Sequence, residues 1–381
     1  MTPKERVCAA LEGRPVDRFP TGVLYHHLYV ELALAELTDE PPWRVYALPY
    51  LEPDEYLELY RKIVERAPFD ILEPLPGSQP REVRQRQEFV TKDGRPFRHD
   101  THSDQWFPLD EPTKSGHVYD GSMNEGQQIF DRRDIDEKIK IVRAEDVSRD
   151  GQLDQLEAAV AEFGGDHFIL RDGPSGALGL CTAYFGMINT MAMLIEQPDL
   201  IDYMIAKSLE QAIETLRRIA AAGVDGVYSW ETMGTGELIS PAHYERFCLP
   251  YRQALVDEAH RLGLKVIVAF YGDVMDRLDL IVATGADALQ AECAMKGYTN
   301  NMHKIAETIG DRMTLFANID PYWYLEKASD EHLATEIRRQ VEAGRKARGF
   351  ILSPASPITP GTSLARVQKF IKLCHEIGTP G

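Results

Sequence analysis

Three short apolar runs, each closed by polar residues and separated by helix-length segments, stand out between Gly223 and Cys293. They read G-V-D-G-V-Y-S-W-E-T-M, L-K-V-I-V-A-F-Y-G-D and A-D-A-L-Q-A-E-C. The spacing leaves no room for hairpins. Apolar strands bounded by helices predict a parallel sheet covered on both faces. Each run ends in side chains able to do chemistry: Glu231 on the first, Tyr271 and Asp273 on the second, Glu292 and Cys293 on the third. The sites of α/β proteins gather at such carboxyl ends.

The same unit extends along the chain. Apolar runs near residues 19, 70, 167, 226, 265, 287, 314 and 349 predict eight strands. Helical spacing predicts helices at 29–37, 54–66, 151–163, 184–195, 198–222, 241–262, 274–283, 299–309, 330–346 and 363–376. In 198–222, Ile201, Met204, Ile205, Leu209, Ala212, Leu216 and Ile219 share one face. Eight parallel strands alternating with helices predict an α/β chain folded as a (β/α)8 TIM barrel. The competing architecture, an open doubly wound sheet, would carry a glycine-rich phosphate loop after its first strand. Neither G-x-G-x-x-G nor G-x-x-x-x-G-K-S/T occurs. Residues 83–104 break the alternation: E-F-V-T and P-F-R-H flank Lys92-Asp93-Gly94-Arg95, a hairpin signal. Residues 77–147 are therefore expected to form an inserted hairpin or lid within a single barrel domain spanning 1–381. The stretch 110–126, rich in Gly, Ser, Asp and Pro, is expected to be loop.

Charge narrows the partners. The 381 residues carry a formal net charge of −18. Nucleic-acid binding needs clustered Lys and Arg to neutralise phosphates, so it is not expected, and an anionic membrane surface would repel the chain. A small-molecule substrate and a homo-oligomer are compatible with this balance. The five cysteines (8, 181, 248, 293 and 374) are scattered and form neither a disulfide framework nor a C-x-x-C knuckle. A reducing, cytoplasmic setting is expected. Thr2-Pro3-Lys4-Glu5 reads as a capping box with proline in the first helical turn. The chain is expected to be mature and soluble from that point.

The opening M-T-P-K-E-R-V-C-A-A-L-E-G-R-P-V-D-R-F-P, the pair G-V-D-G-V-Y-S-W-E and E-L-I-S-P-A-H-Y-E-R-F-C-L-P-Y, and the later G-A-D-A-L, A-N-I-D-P and G-F-I-L-S-P follow one another in a recognisable order. Over nearly the whole chain they resemble the uroporphyrinogen decarboxylase superfamily, which includes methyltransferases that feed corrinoid and coenzyme M chemistry. The resemblance implies the barrel. Two departures shape what it implies about the reaction. The arginine-bearing R-Q-A-G-R motif of true uroporphyrinogen decarboxylases is replaced by Tyr25-His26-His27-Leu28-Tyr29. The H-x-C of the zinc methyltransferases reads Ala269-Phe270-Tyr271, and their late cysteine falls at Ala355 or Ser356. What remains is the methyl-donor side of the superfamily: enzymes that demethylate a small methoxy compound, such as a methoxy-aromatic, or a methylamine, and pass the methyl to a corrinoid protein. No D-x-H-x-x-G pattern occurs, so the corrinoid is expected from a partner protein. A cofactor-free decarboxylase or lyase and a non-catalytic small-molecule-binding barrel are the alternatives.

Within this frame the strand ends supply the candidates. Glu231 and Glu292 read as general acid or base, or as oxygen ligands; the plain alternative is a salt-bridged loop carboxylate. His27 or His26 can complete a His/Glu site for zinc or another divalent metal with Glu231 and Glu292, and a Lewis acid there would polarise a leaving oxygen. Either histidine can equally be a hydrogen-bonded structural residue or touch substrate. Tyr271 reads as a proton donor or as an aromatic wall. Arg171 reads as a clamp for a substrate carboxylate, or as the ion-pair partner of Asp172. Asn318 is expected to line the pocket, and Asp320 to cap the segment that follows. Trp106, Phe107, Tyr322, Trp323 and Tyr324 read as a substrate roof, core, or an oligomer contact, and Cys293 as a buried apolar side chain.

Overall fold

Seven parallel strands hydrogen-bond in the order β1 (Ile71–Leu72), β5 (Phe168–Asp172), β6 (Gly226–Glu231), β7 (Lys265–Phe270), β8 (Ala288–Ala291), β9 (Thr314–Phe316) and β10 (Phe350–Ile351). The first expected strand is reduced to a bridge. Thr21 pairs in parallel with Leu352, and its carbonyl accepts from the amides of Asp70 and Ile71. The 20–22 segment thus touches both β10 and β1 and closes the ring as the eighth stave. Pro20 has no amide to donate to a ladder, which helps to keep this stave short. This computed structural model describes residues 1–75, 77–109, 131–294, 297–355 and 357–379. The expected loop 110–126 and Ser356 lie outside them.

The barrel interior is a packed core. Leu24, Ile71, Phe168, Leu170, Tyr228, Ile267, Ala269, Ala288, Phe316 and Ile351 fill it, with Val7, Ala10 and Leu11 from the helix Pro3–Leu11. That helix starts on the expected capping box, with Thr2 and Glu5 exchanging side-chain hydrogen bonds. It plugs the amino-terminal end of the barrel: Thr314 donates to the Ala10 carbonyl at 2.9 Å, and Lys4 pairs with Asp225 at 2.7 Å. Gly349, just before β10, lies so close that a Cβ there would sit 1.9 Å from the Ala10 oxygen. Gly349→Ala is therefore expected to push the plug off its seat and cost about 1–3 kcal/mol, as overpacking does. A lowered urea midpoint with an unchanged m-value would show it; an unchanged midpoint would mean that the plug does not brace the barrel.

The outer layer follows most of the predicted helices, and three of its departures shape the surroundings of the strand ends. The second helix begins at His26 and runs to Thr38, so the two histidines open a helix instead of trailing a strand. The expected 241–262 helix contains a π-turn over Tyr244–Cys248 before continuing as Leu249–Arg261. Pro250 has no N–H for the Arg246 carbonyl, and the widened turn accommodates that loss. A second π-helical segment, Pro321–Lys327, follows β9, and Asp320 caps it through the amides of Tyr322 and Trp323.

Between β1 and β5 the chain makes a separate antiparallel sheet of β2 (Gln87–Lys92), β3 (Arg95–Asp100) and β4 (Gln105–Pro108). Asp93 and Gly94, with φ of 50° and 78°, form the expected tight hairpin turn. The third strand brings Trp106 onto His99, ring centroids 3.9 Å apart, and Phe107 under Arg98. Among the described residues no helix is long and apolar enough to cross a membrane.

Candidate active site

Side chains alternate along a strand, so every second residue from the barrel core continues toward the mouth. On β5, Phe168 and Leu170 face inward, and Asp172 follows them. On β6, Tyr228 is inward and Trp230 follows. On β7, Ile267 and Ala269 lead to Tyr271. The same parity carries Ala288 to Glu292.

Glu73, one residue beyond β1, is the anchor of this mouth. It is 1% exposed and accepts from the His26 amide at 2.8 Å and the Tyr228 hydroxyl at 2.8 Å, with His27 Nδ1 at 3.1 Å. Burial alone would raise its pKa, but His27, Tyr228 and the His26 amide outweigh it, and the carboxyl lies below its usual range. Burial likewise opposes charge on His27, yet Glu73 overcomes it and the imidazole lies above its usual range. The two hold each other as an ion pair. Tyr25, at a strained φ of 55°, turns the chain into the helix that carries both histidines. Its ring meets Tyr228 at 5.1 Å and Tyr271 at 5.8 Å.

Asp172 stands beside this pair. Burial and the negative charge of Glu73 raise it to about 6, against the pull of Arg171 and His27. Its Oδ1 is buried without a hydrogen-bond partner among the described residues. A carboxyl so placed is protonated for part of the time near neutrality and has an oxygen free for a ligand. Across the mouth, burial and the adjacent Tyr25 push the Tyr271 phenol well above its usual range. The Glu292 carboxylate accepts a short hydrogen bond from Tyr298.

The sequence-derived candidates divide. Tyr271, Glu292 and His27 belong to the mouth or its immediate support. Glu231 does not. It is 1% exposed in the outer layer, where Arg252 Nη2 donates to it at 3.1 Å and the Gly234 amide at 3.0 Å. Its parity on β6 is opposite to that of Tyr228, which explains the placement. The ring of His26 also lies outside the mouth, stacked on Tyr29 and edge-on to Phe69, and burial lowers its pKa to about 4. Asn318 is buried and braces loops: it donates to the carbonyls of Glu292 and Asn300 and accepts from Gln340. Arg171 donates to the Pro74 carbonyl and is not at ion-pair distance from Asp172. Cys293 is buried, with its thiol pushed up to about 12. Tyr322 and Trp323 are exposed.

The metal set Glu231, Glu292 and His27 is therefore not assembled. The Glu231 carboxylate is committed to Arg252, and among the described residues no three His, Cys, Asp or Glu side chains converge to hold an ion. Sequence reasoning missed Glu73, Tyr228 and Tyr298, and took Asp172 only as a partner for Arg171. Counting parity outward from the apolar core residues would have found Asp172 and Tyr228.

The chain resembles known proteins at two levels. The profile of the uroporphyrinogen decarboxylase (URO-D) family matches residues 175–377. Curated relatives include the uroporphyrinogen decarboxylases of Myxococcus xanthus, 27% identical over 49% of this chain and 50% of the relative, and of Pseudomonas fluorescens, 27% identical over 50% and 52%. The chain thus spans about half the length of the curated relatives it matches. Among solved structures, a methyltransferase from Methanosarcina mazei superposes over 99% of both chains with a TM-score of 0.68 at 19% identity, a likeness of fold. With more than half its length under the family profile, the chain belongs to the uroporphyrinogen decarboxylase family.

Proposed function

We propose that the barrel mouth is a proton-transfer site at which a small methylated compound, such as a methoxy-aromatic, loses its methyl group. The observation that carries this reading is Asp172, a buried carboxyl with an unpartnered oxygen and a pKa raised to about 6, beside the Glu73–His27 pair. As the methyl–oxygen bond breaks, its electron pair stays on oxygen, and the protonated Asp172 delivers a proton there. Burial and the negative charge of Glu73 favour the protonated Asp172, and His27 holds Glu73 in place. Tyr25 and Tyr271 provide aromatic walls that exclude water from the leaving oxygen. A corrinoid carried by a partner protein would supply the nucleophile that takes up the methyl group.

A second reading, loss of carbon dioxide from the substrate, is favoured by the names of the curated relatives. In that case Asp172 protonates the carbon left behind. One experiment separates the two. Purified protein is incubated with a methyl-labelled methoxybenzoate and free cob(I)alamin, and both methyl transfer (by cobalamin absorbance) and carbon dioxide are followed. Transfer abolished by Asp172→Asn supports the first reading. Carbon dioxide without transfer replaces it with the second. Saturable binding with neither product would make the barrel a non-catalytic binder and overturn both.

A further inference from the structure

Beside the mouth, between β5 and the helices Asp154–Phe163 and Pro198–Ala221, lies a cavity of about 260 Å³. It is just under the usual span of small-molecule sites, about 300–1,000 Å³. Two arginines line it, Arg171 from the strand and Arg218 from the long helix, and Asp172 forms its border with the mouth. Their environment is unlike that of the buried arginines. Arg252 is matched to Glu231, Arg84 to Glu52 and Asp154, and Arg277 to Asp276 and two carbonyls. Arg218 is half-buried and has no hydrogen-bond or ion-pair partner among the described residues. Burial and the neighbouring charge of Arg171 both act against its own charge. Asp150 is the carboxylate that tempers it, but Asp150 already accepts from the backbone and side-chain amides of Gln152. Among the described residues Arg171 is bound only through Nη1, to a carbonyl.

Two guanidinium groups thus face one cavity of a strongly acidic protein, with the Asp172 carboxyl beside them. An oxyanion between them would relieve the repulsion and accept charge-assisted hydrogen bonds from both. The rest of the lining decides what kind of anion. Besides Ser78, Gln152, Gln155 and Thr215, it includes Leu75, Leu153, Leu156 and Ile219, which present apolar surface beside the guanidinium groups. Inorganic phosphate has nothing to place on those side chains, whereas an organic acid has a hydrocarbon body.

We propose that this cavity is the carboxylate-binding subsite for the substrate of the adjacent mouth, with Arg171 and Arg218 holding the anion and the leucines its apolar body. It rests on the reading of the mouth as the reaction site, and it narrows the substrate class to small organic carboxylates. Its border residue, Asp172, places the bound anion next to the proton donor.

Binding tests this without turnover, so it can fail or succeed independently of methyl transfer. The full chain is titrated calorimetrically with benzoate, with its neutral isostere benzamide, and with inorganic phosphate. Benzoate is expected to bind saturably, and benzamide and phosphate at least about tenfold more weakly, the scale of one charged hydrogen bond. Arg218→Gln and, separately, Arg171→Gln are each expected to weaken benzoate by about tenfold or more, while Arg218→Lys retains part of the affinity. Arg218→Gln removes a cation with no hydrogen-bond or ion-pair partner among the described residues and should not lower the Tm of the free protein, so thermal unfolding separates lost binding from lost fold. Equal affinity for benzoate and benzamide, tighter binding of phosphate, no benzoate binding at all, or undiminished benzoate affinity in both glutamine variants would each overturn the proposal.

Discussion

Asp172→Asn is expected to reduce turnover by about 10²–10⁴-fold, the range for loss of a positioned general acid, while the barrel stays folded. Asparagine fills the same volume but cannot release a proton. In the parent protein the acid works only while protonated. Turnover limited by this group should therefore be highest below about pH 6 and fall as the pH rises through that value, and the variant should lose this limb together with its rate. Stability carries the same signature with a defined sign. The carboxyl has a pKa of about 6 when folded, against an ordinary value of 3.8. Its favourable contribution is fully present below about 4 and is lost as the pH rises through about 6, where folding must hold a buried charge. Across that window the loss is on the order of 2–3 kcal/mol. Asp172→Asn removes it, so the variant should gain on the parent between pH 4.5 and pH 8 in denaturant titrations. If the two proteins keep a constant stability difference over that range, the carboxyl is not held in the raised state, and the general-acid assignment goes with it.

The architecture was legible because a barrel repeats one local signal. Each strand is a short apolar run, each helix an amphipathic stretch, and every β–α unit can be read without knowing its neighbours. The segment at 20–22 escaped in detail because its pairing to β10 joins residues at opposite ends of the chain. The site was legible only in part. Tyr271 and Glu292 sit at strand ends with the parity of the core, and sequence pointed to them. Glu231 has the opposite parity, and chemistry-bearing residue type alone drew attention to it. Glu73 follows a two-residue strand too short to show alternation. Its partner Tyr228 is 155 residues away, and no periodicity encodes which long-range side chains meet. The resemblance named the fold, and the family profile bears it out. Of the two guanidinium groups that line the cavity only Arg171 was visible, because Arg218 reads as one polar position on a long helix.

The Glu231–Arg252 pair should produce the largest stability effects in the molecule. Both side chains are 1% exposed. Arg252 also donates to Ser229, which in turn donates to the Pro174 carbonyl, so the pair ties β6 and the helix Leu249–Arg261 to the loop after β5. Arg252→Met removes the only cation paired with Glu231 among the described residues and leaves the buried carboxylate the Gly234 amide as its remaining partner there. Breaking a buried pair in this way costs about 3–5 kcal/mol. Glu231→Gln strands the guanidinium instead and should be costly too, though the amide oxygen can still accept from Arg252 or Gly234. The double variant Glu231→Gln/Arg252→Met removes both charges, so its loss should be well below the sum of the singles. A coupling of roughly 0.5–3 kcal/mol is the usual size for neighbours in one network, and chemical denaturation of the four proteins measures it. Additive losses would mean that the two charges do not depend on each other. The same variants separate structural from chemical roles. Glu231→Gln, assayed well below its own unfolding midpoint, should retain turnover within a few-fold of the parent, because the carboxylate faces the outer layer. A loss as deep as that of Asp172→Asn under those conditions would place Glu231 in the chemistry after all, and the mouth would have to be redrawn around it.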